Sequence, residues 1–173
     1  MICPTCGWDN VPGVEICGHC QQDLTPLDRP CAGNRIERSL LEDQVLQLRP
    51  KKPTTILQDM TLAEAIHVML ENNIGALMVV DDAGRLLGIL SERDLLKKVA
   101  GLHDDYASLP VAPFMTAKPE TVALTDTLNF VLHKMDGGGY RHVPVIDGGK
   151  PVHVISVRDM LRHITKLCDG AAT

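Results

Sequence analysis

Residues 88–94 read G-I-L-S-E-R-D and residues 153–159 read H-V-I-S-V-R-D, each a short apolar run that ends on a serine and opens into a polar stretch of helical character. The matches continue outward on both sides. P-T-T-I-L from Pro53 answers P-E-T-V-A from Pro119, T-L-A-E-A-I-H-V-M from Thr61 answers T-L-N-F-V-L-H-K-M from Thr127, and L-M-V-V-D ending at Asp81 answers V-P-V-I-D ending at Asp147. The offset is 66 residues from Val45 through Asp81 and 65 at the serines, because the first copy carries one more turn residue. Repeats of this length are units that complete each other's core by packing together.

Each copy has the same order of elements. In the first, an extended piece at 54–57 precedes a helix capped by Thr61, with Glu64 in capping-box position and a core face of Leu62, Ala65, Ile66, Met69 and Leu70. Strands follow at 74–80 and 86–90 around a turn at Gly84, then a helix at 92–99. The second copy repeats this with an extended pair at Val122 and Ala123, a helix at 128–135 broken by Gly137 to Gly139, strands at 142–146 and 152–155, and a helix at 157–166. Upstream, Asn34 caps a helix whose apolar residues Ile36, Leu40, Leu41, Val45 and Leu48 recur at helical spacing until Pro50. Its end, V-L-Q-L-R-P-K-K-P, corresponds to V-A-P-F-M-T-A-K-P at 111–119, which assigns it to the first copy. Neither half is large enough to be comfortable alone, and two sheets set face to face with helices outside would bury both apolar faces. The expected fold class is therefore α/β (α+β), two tandem repeats with pseudo-two-fold symmetry. Their expected extents are 34–104 and 105–170.

The first 24 residues are of another kind. Cys3, Cys6, Cys17 and Cys20 form C-x2-C-x10-C-x2-C, a spacing that lets two knuckles aim four thiolates at one tetrahedral ion. Four sulfurs close the coordination shell, so the expected ion is a structural Zn2+. His19 is expected as a turn residue, and Cys31 and Cys168 stand outside the pattern as ordinary thiols. Residues 25–33, rich in Pro, Asp and Gly, read as a linker.

Composition narrows the classes. A formal charge of -5 and only five aromatic residues (one Trp, two Tyr, two Phe) argue against a stacking platform for single-stranded nucleic acid. The loop between the knuckles carries Asp9 and Glu15 and no Lys or Arg, which speaks against phosphate backbones. Trp8 in that loop admits two readings, an anchor in a protein interface or a cover over its own hairpin. There is no secretory leader pattern and no apolar stretch of membrane-spanning length, so the expected compartment is the cytoplasm, without membrane partners. Paired cysteines kept available for metal agree with that.

The segment C-P-T-C-G-W-D-N-V-P-G-V-E-I-C-G-H-C resembles short bacterial and archaeal zinc ribbons. From Val45 to about Thr165 the chain closely resembles the paired regulatory domains named after cystathionine beta-synthase, the CBS pair or Bateman module. V-V-D-D-A-G-R-L-L-G-I-L-S-E-R-D, V-I-D-G-G-K-P-V-H-V-I-S-V-R-D and F-M-T at 114–116 carry the resemblance. The second copy departs from the pattern at His153, where glycine is usual and where a side chain could narrow a cleft.

What the resemblance implies is a non-catalytic sensor of an adenosine-containing ligand: AMP, ADP, ATP or S-adenosylmethionine. Carried over residue by residue, Asp94 and Ser91 serve one cleft, Asp159 and Ser156 the other, and Thr55, Thr121, Ile56 and Val122 line the bases. Arg141 and His142 resemble basic residues that reach ligand phosphates, while the first copy has Gly75 and Ala76 there, so the Arg141 cleft should prefer more phosphates. The resemblance also implies a homodimer that signals to an effector protein. A plainer reading stands beside it. S-x-x-D is a capping box, Arg93 and Arg158 are as readily solvent-facing as ligand-facing, and a dimeric scaffold with no nucleotide would need nothing more. A nucleic-acid regulator acting through the ribbon is a weaker reading, and no nucleophile, phosphate loop or catalytic metal pattern nominates a reaction.

Overall fold

The structure, a computed structural model of the chain, describes residues 2–11, 14–24, 33–101 and 105–169. Residues 25–32, which hold nearly all of the expected linker and Cys31, lie outside the described residues. The chain divides into two compact units, residues 1–38 and 39–173.

The first unit is built from two knuckles of one design. Ile2 bridges Asp9 and Ile16 bridges Asp23, both antiparallel. The Cys3 amide donates to the Trp8 carbonyl at 2.9 Å, and the Cys17 amide to the Gln22 carbonyl at 2.8 Å. Each turn passes through left-handed backbone, at Gly7 (φ 70°) and at Gln21 (φ 61°). Only the first has the residue that adopts it without strain. Leu24 is fully buried against Cys3 and Cys17, the small apolar centre of the unit.

Helix α1 (Arg35–Glu42) starts as the sequence implies, with the Asn34 Oδ1 accepting from the Glu37 amide at 2.9 Å. It ends earlier. The apolar spacing from Ile36 to Leu48 reads as one helix, but after Glu42 the chain re-forms as a 3-10 turn, Val45–Leu48. Hydrogen bonds to the second repeat account for the break: Val45 N to Asp126 O at 2.9 Å, Leu46 N to Leu124 O at 3.0 Å, and Leu128 N to Asp43 O at 3.0 Å. These tie up backbone groups that a continuous helix would need.

In the first repeat, β1 (Thr55–Leu57) runs parallel to β2 (Ala76–Val80), with helix α2 (Leu62–Asn72) between them in sequence. Strand β3 (Leu86–Ser91) pairs antiparallel with β2, and β4 (Thr116–Ala117) closes that sheet on β3. Helix α3 (Glu92–Lys98) follows β3 directly. The second repeat supplies helix α4 (Leu128–Gly138), the antiparallel pair β5 (His142–Asp147) and β6 (Lys150–Ser156), and helix α5 (Val157–Asp169). Residues Gly137 and Gly138 do not break α4. The helix runs through them and stops at Gly139, which takes the left-handed cap (φ 61°).

The two repeats exchange their leading segments. Val111 and Phe114, which open the second copy, are buried with Ile56, Leu62, Leu77, Val79 and Leu90 of the first. Val45, which opens the first copy, is buried with Val122, Leu128, Val131, Val143 and Ile155 of the second. The backbone follows suit: β4 pairs with β3, and Lys51 bridges Val154 of β6. Alternation along β2 sends Leu77 and Val79 into the first core, while Ala76 and Met78, with Ile89 of β3, pack with Val154. That accounts for a strand buried along its whole length.

Gly88 marks where the crossing segment presses closest. A Cβ there would run into the Met115 side chain and come within 2.9 Å of the Thr116 carbonyl. His153 occupies the equivalent place in β6, opposite Val145, with a buried Nδ1 that has no hydrogen-bond partner.

Candidate functional site

Strand β3 delivers Ser91 to the start of α3, where hydroxyl and carboxylate cap one another. The Asp94 amide donates to Ser91 Oγ at 3.3 Å, and Asp94 Oδ2 accepts the Ser91 hydroxyl at 2.5 Å and the Ser91 amide at 3.0 Å. The other oxygen, Oδ1, accepts the Thr116 hydroxyl and the Lys98 ammonium, each at 2.9 Å. Asp94 is buried (8% exposed), so its charge survives only because it is fully bonded. Burial pushes its pKa up, and the hydrogen bonds from Ser91, Lys98 and Thr116 outweigh that and hold it below the ordinary value.

The second repeat repeats the cap and not the enclosure. Asp159 Oδ2 accepts the Ser156 amide at 2.9 Å and its hydroxyl at 2.6 Å, while Oδ1 meets Arg162 at 3.1 Å. Arg162 is well exposed, and Asp159 borders an open cleft.

Two clefts among the described residues of this unit bear on the sequence-derived positions. The first, about 260 Å³, opens between the start of α3 and the α4–β5 junction, so both repeats contribute walls. It brings together Ser91, Arg141 and His142 from the sequence-derived set and adds Glu92, Lys97 and Tyr140. Arg93 also lines it and donates to the Gly139 carbonyl at 2.8 Å, which ties α3 to the cap of α4 across the cleft. His142 is held below the ordinary histidine pKa by burial; Glu92 and Asp159 pull the other way, and Arg158 and Arg141 reinforce the depression. At neutral pH it therefore presents a neutral ring. The second cleft, about 370 Å³, is lined by Leu48 and Arg49 with Asp159, Arg162, His163 and Lys166 of α5.

The remaining sequence-derived positions lie elsewhere. Asp94 sits behind Ser91 with both oxygens engaged. Ile56 and Val122 are buried in the two cores, Thr55 is exposed on β1, and neither Thr121 nor Ser156 lines either cleft. Lys97 was legible in principle, four residues after Arg93 and hence on the same face of α3.

In the first unit the Sγ atoms of Cys3, Cys6, Cys17 and Cys20 all lie within 4.8 Å of one another, with Cys3 to Cys20 at 3.6 Å and Cys6 to Cys17 at 3.7 Å. Tetrahedral Zn2+ with bonds near 2.3 Å sets its sulfurs roughly 3.8 Å apart, so the cluster fits such an ion. The backbone amides of Cys20 and His19 and the Asn10 side chain favour the Cys17 thiolate against its burial, lowering it to about 6. Cys6 is pushed up to about 12, where burial and the neighbouring sulfurs overcome the amide of Trp8. Four sulfurs this close cannot all ionise without a cation among them. Asn10 fixes the second knuckle, accepting from the Gly18 amide at 3.0 Å and reaching Cys17 Sγ at 3.6 Å. Trp8 of the first knuckle stacks on His19 of the second with ring centroids 5.3 Å apart, while remaining half exposed.

Two small α/β repeats, joined through exchanged leading segments and sharing a cleft at a capped helix start, define a tandem-repeat α/β module. The chain belongs to the CBS domain family, which matches residues 47–101 and 111–166. CBS domains are non-catalytic regulatory modules. An uncharacterized 17.7 kDa protein of Acidianus ambivalens is 34% identical over 124 residues, 69% of this chain and 71% of that protein. The Arabidopsis thaliana protein CBSCBSPB5 is also 34% identical, over 69% of this chain but only 22% of its own length. Among solved structures, the CBS-domain protein ATU1752 of Agrobacterium tumefaciens superposes with a TM-score of 0.64 at 32% identity, covering 69% of this chain and 95% of that one. The CBS pair of protein MJ0100, solved in complex with 5'-methylthioadenosine and S-adenosyl-L-methionine, has a TM-score of 0.64 at 25% identity, covering 71% of this chain and 96% of that one.

Proposed function

We propose that the chain is a cytoplasmic ligand sensor whose first cleft takes an adenosine-containing molecule and whose response is passed to a partner protein. One observation carries the reading: Ser91, Arg141 and His142, distant in sequence, converge on a cleft to which both repeats contribute. A ligand held there touches both halves and so favours one arrangement of them over another, the requirement for signalling. Arg141, Lys97 and Arg93 against the single carboxylate of Glu92 suit a ligand with a phosphate tail. The MJ0100 pair, with its methylthioadenosine and S-adenosylmethionine, supports the adenosyl class. Asp94 reaches a ribose only by giving up Thr116 or Ser91, whereas Asp159, beside open space, gives up only the exposed Arg162.

In the same proposal the two repeats face each other sheet to sheet about a pseudo-two-fold axis, and two copies pair into a homodimer. The four cysteines hold a structural Zn2+ that folds the ribbon, and the ribbon meets protein rather than nucleic acid. No helix among the described residues is long and apolar enough to cross a membrane.

The saturation of Asp94 by Ser91, Thr116 and Lys98 favours one rival, a dimeric scaffold in which both aspartates are caps alone. Thermal unfolding with AMP, ADP, ATP, 5'-methylthioadenosine and S-adenosylmethionine separates the two. A sensor gains stability with ligand concentration as RT ln(1 + [L]/Kd), and a scaffold unfolds at the same temperature throughout.

A further inference from the structure

Helix α1 crosses the boundary between the two compact units, which falls between Arg38 and Ser39. Its one buried residue is polar: Ser39 is 6% exposed, while Leu40 reaches the second core and stays half-buried. A helix held by so little apolar area opens at low cost, so the polar groups around Ser39 decide how firmly α1 is seated. Those groups are Asp43, just past the end of α1, and His163 of α5. The Ser39 hydroxyl donates to Asp43 Oδ2, and His163 Nε2 lies 2.7 Å from the same Ser39 Oγ and 3.6 Å from Asp43 Oδ2.

A carboxylate only accepts, and the single hydroxyl proton goes to Asp43. His163 Nε2 must therefore carry a proton and donate it to Ser39. A ring protonated on Nδ1 alone would set two acceptors on one hydroxyl proton and leave one of them without a partner. The trio is not a nucleophile set. Asp43 approaches Nε2 and not Nδ1, nothing draws the hydroxyl proton to the ring, and Ser39 is buried.

Charge on His163 changes the strength of this contact without changing its pattern. Nε2–H donates in the neutral ring and in the imidazolium alike, and the imidazolium adds a full positive charge 3.6 Å from the Asp43 carboxylate. Asp159, Arg162 and Lys166 of α5 border the same cleft as His163, and Arg49 faces it from the end of the 3-10 turn. The three cations oppose a charge on the ring and Asp159 favours it, but among the described residues only Asp43 comes within ion-pair distance. The first repeat has nothing of the kind. At the position equivalent to His163 it has Lys98, whose ammonium ties down the Phe114 and Met115 carbonyls and Asp94. The second repeat has there the one side-chain type that ordinarily changes charge near neutral pH.

We propose that Ser39, Asp43 and His163 form a proton-sensitive latch that seats α1 on α5 and tightens as His163 takes up a proton. Opening it releases the start of the second unit's chain from α5, at the point where the chain from the first unit arrives. The latch needs no ligand, so it stands or falls apart from adenosyl binding.

The test is hydrogen exchange of the full zinc-loaded chain at pH 8 and pH 6, read by mass spectrometry over residues 35–43 and corrected for the intrinsic pH dependence of amide exchange. Opening of α1 should be suppressed about threefold or more at the lower pH. His163→Gln keeps a donor for Ser39 and Asp43→Asn keeps an acceptor, so both should leave α1 formed and remove its response to pH. His142→Gln, in the first cleft, should leave that response intact. Protection of α1 that is the same at both pH values overturns the latch. So does a response that survives both His163→Gln and Asp43→Asn, or one that His142→Gln abolishes.

Discussion

Asp94 and Asp159 are written by the same S-x-R-D stretch, yet their surroundings give them different energies. Asp94 is enclosed and bonded by Ser91, Thr116 and Lys98, so Asp94→Ala strands buried donors and should cost about 2 kcal/mol or more. Asp159 is half-buried and meets an exposed arginine, so Asp159→Ala should cost only the cap, about 1 kcal/mol. Urea denaturation of the two variants checks the order. The depressed pKa of Asp94 has its own signature. Its contribution is complete above the unfolded aspartate value and is lost as pH falls through the lower folded value, so the Asp94→Ala deficit should shrink on acidification. His142 acts in the opposite sense on ligands. Neutral at pH 7, it gains charge only below the ordinary value of about 6.5, so affinity for an anionic ligand in the first cleft should rise with acidification and cease to do so in His142→Gln.

At the scale of elements, the end of α4 shows how a composition signal misleads. Three consecutive glycines read as a break, but only Gly139 needs its freedom, as the left-handed cap. Gly137 lies inside the helix with open space around its Cα, whereas a Cβ on Gly138 would strike the Tyr140 ring. Gly137→Ala should therefore stabilise by up to about 1 kcal/mol and Gly138→Ala should destabilise, a difference of sign that thermal unfolding resolves. Helices and strands were otherwise largely legible, since the capping box of Thr61 and Glu64 and the short apolar runs of β2 and β3 around the turn at Gly84 are local signals. The exchange of leading segments was not. Val45 and Val111 sit in equivalent contexts, and an apolar residue at each satisfies a core in its own repeat or in the other equally well. The α1 break was hidden for a related reason, since the hydrogen bonds of Val45 and Leu46 to residues 124 and 126 are distant in sequence.

For the whole molecule, two units with separate cores imply two unfolding events. Among the described residues of the first unit, Leu24 is the only large side chain that is fully buried, so the unit's stability would come from the Cys3, Cys6, Cys17 and Cys20 cluster and the metal proposed there. A zinc chelator should remove the first unit's ordered signals, with Trp8 fluorescence as reporter, and leave the transition of residues 39–173 nearly unchanged. Loss of both transitions together would mean that the repeats depend on the metal. The candidate site was legible in part for the same reason as the fold: Ser91, Arg141 and His142 carry family motifs, while Glu92, Lys97 and Tyr140 join them only through the way the two repeats pack. The most direct test of a sensing cleft is calorimetric titration of the zinc-loaded chain with adenine nucleotides and S-adenosylmethionine, beside Arg141→Gln. A sensor shows saturable binding of at least one ligand, weakened about tenfold or more in the variant. Titrations that stay flat across the panel, or binding that the variant leaves untouched, would contradict the account and leave a scaffold built on capped helices.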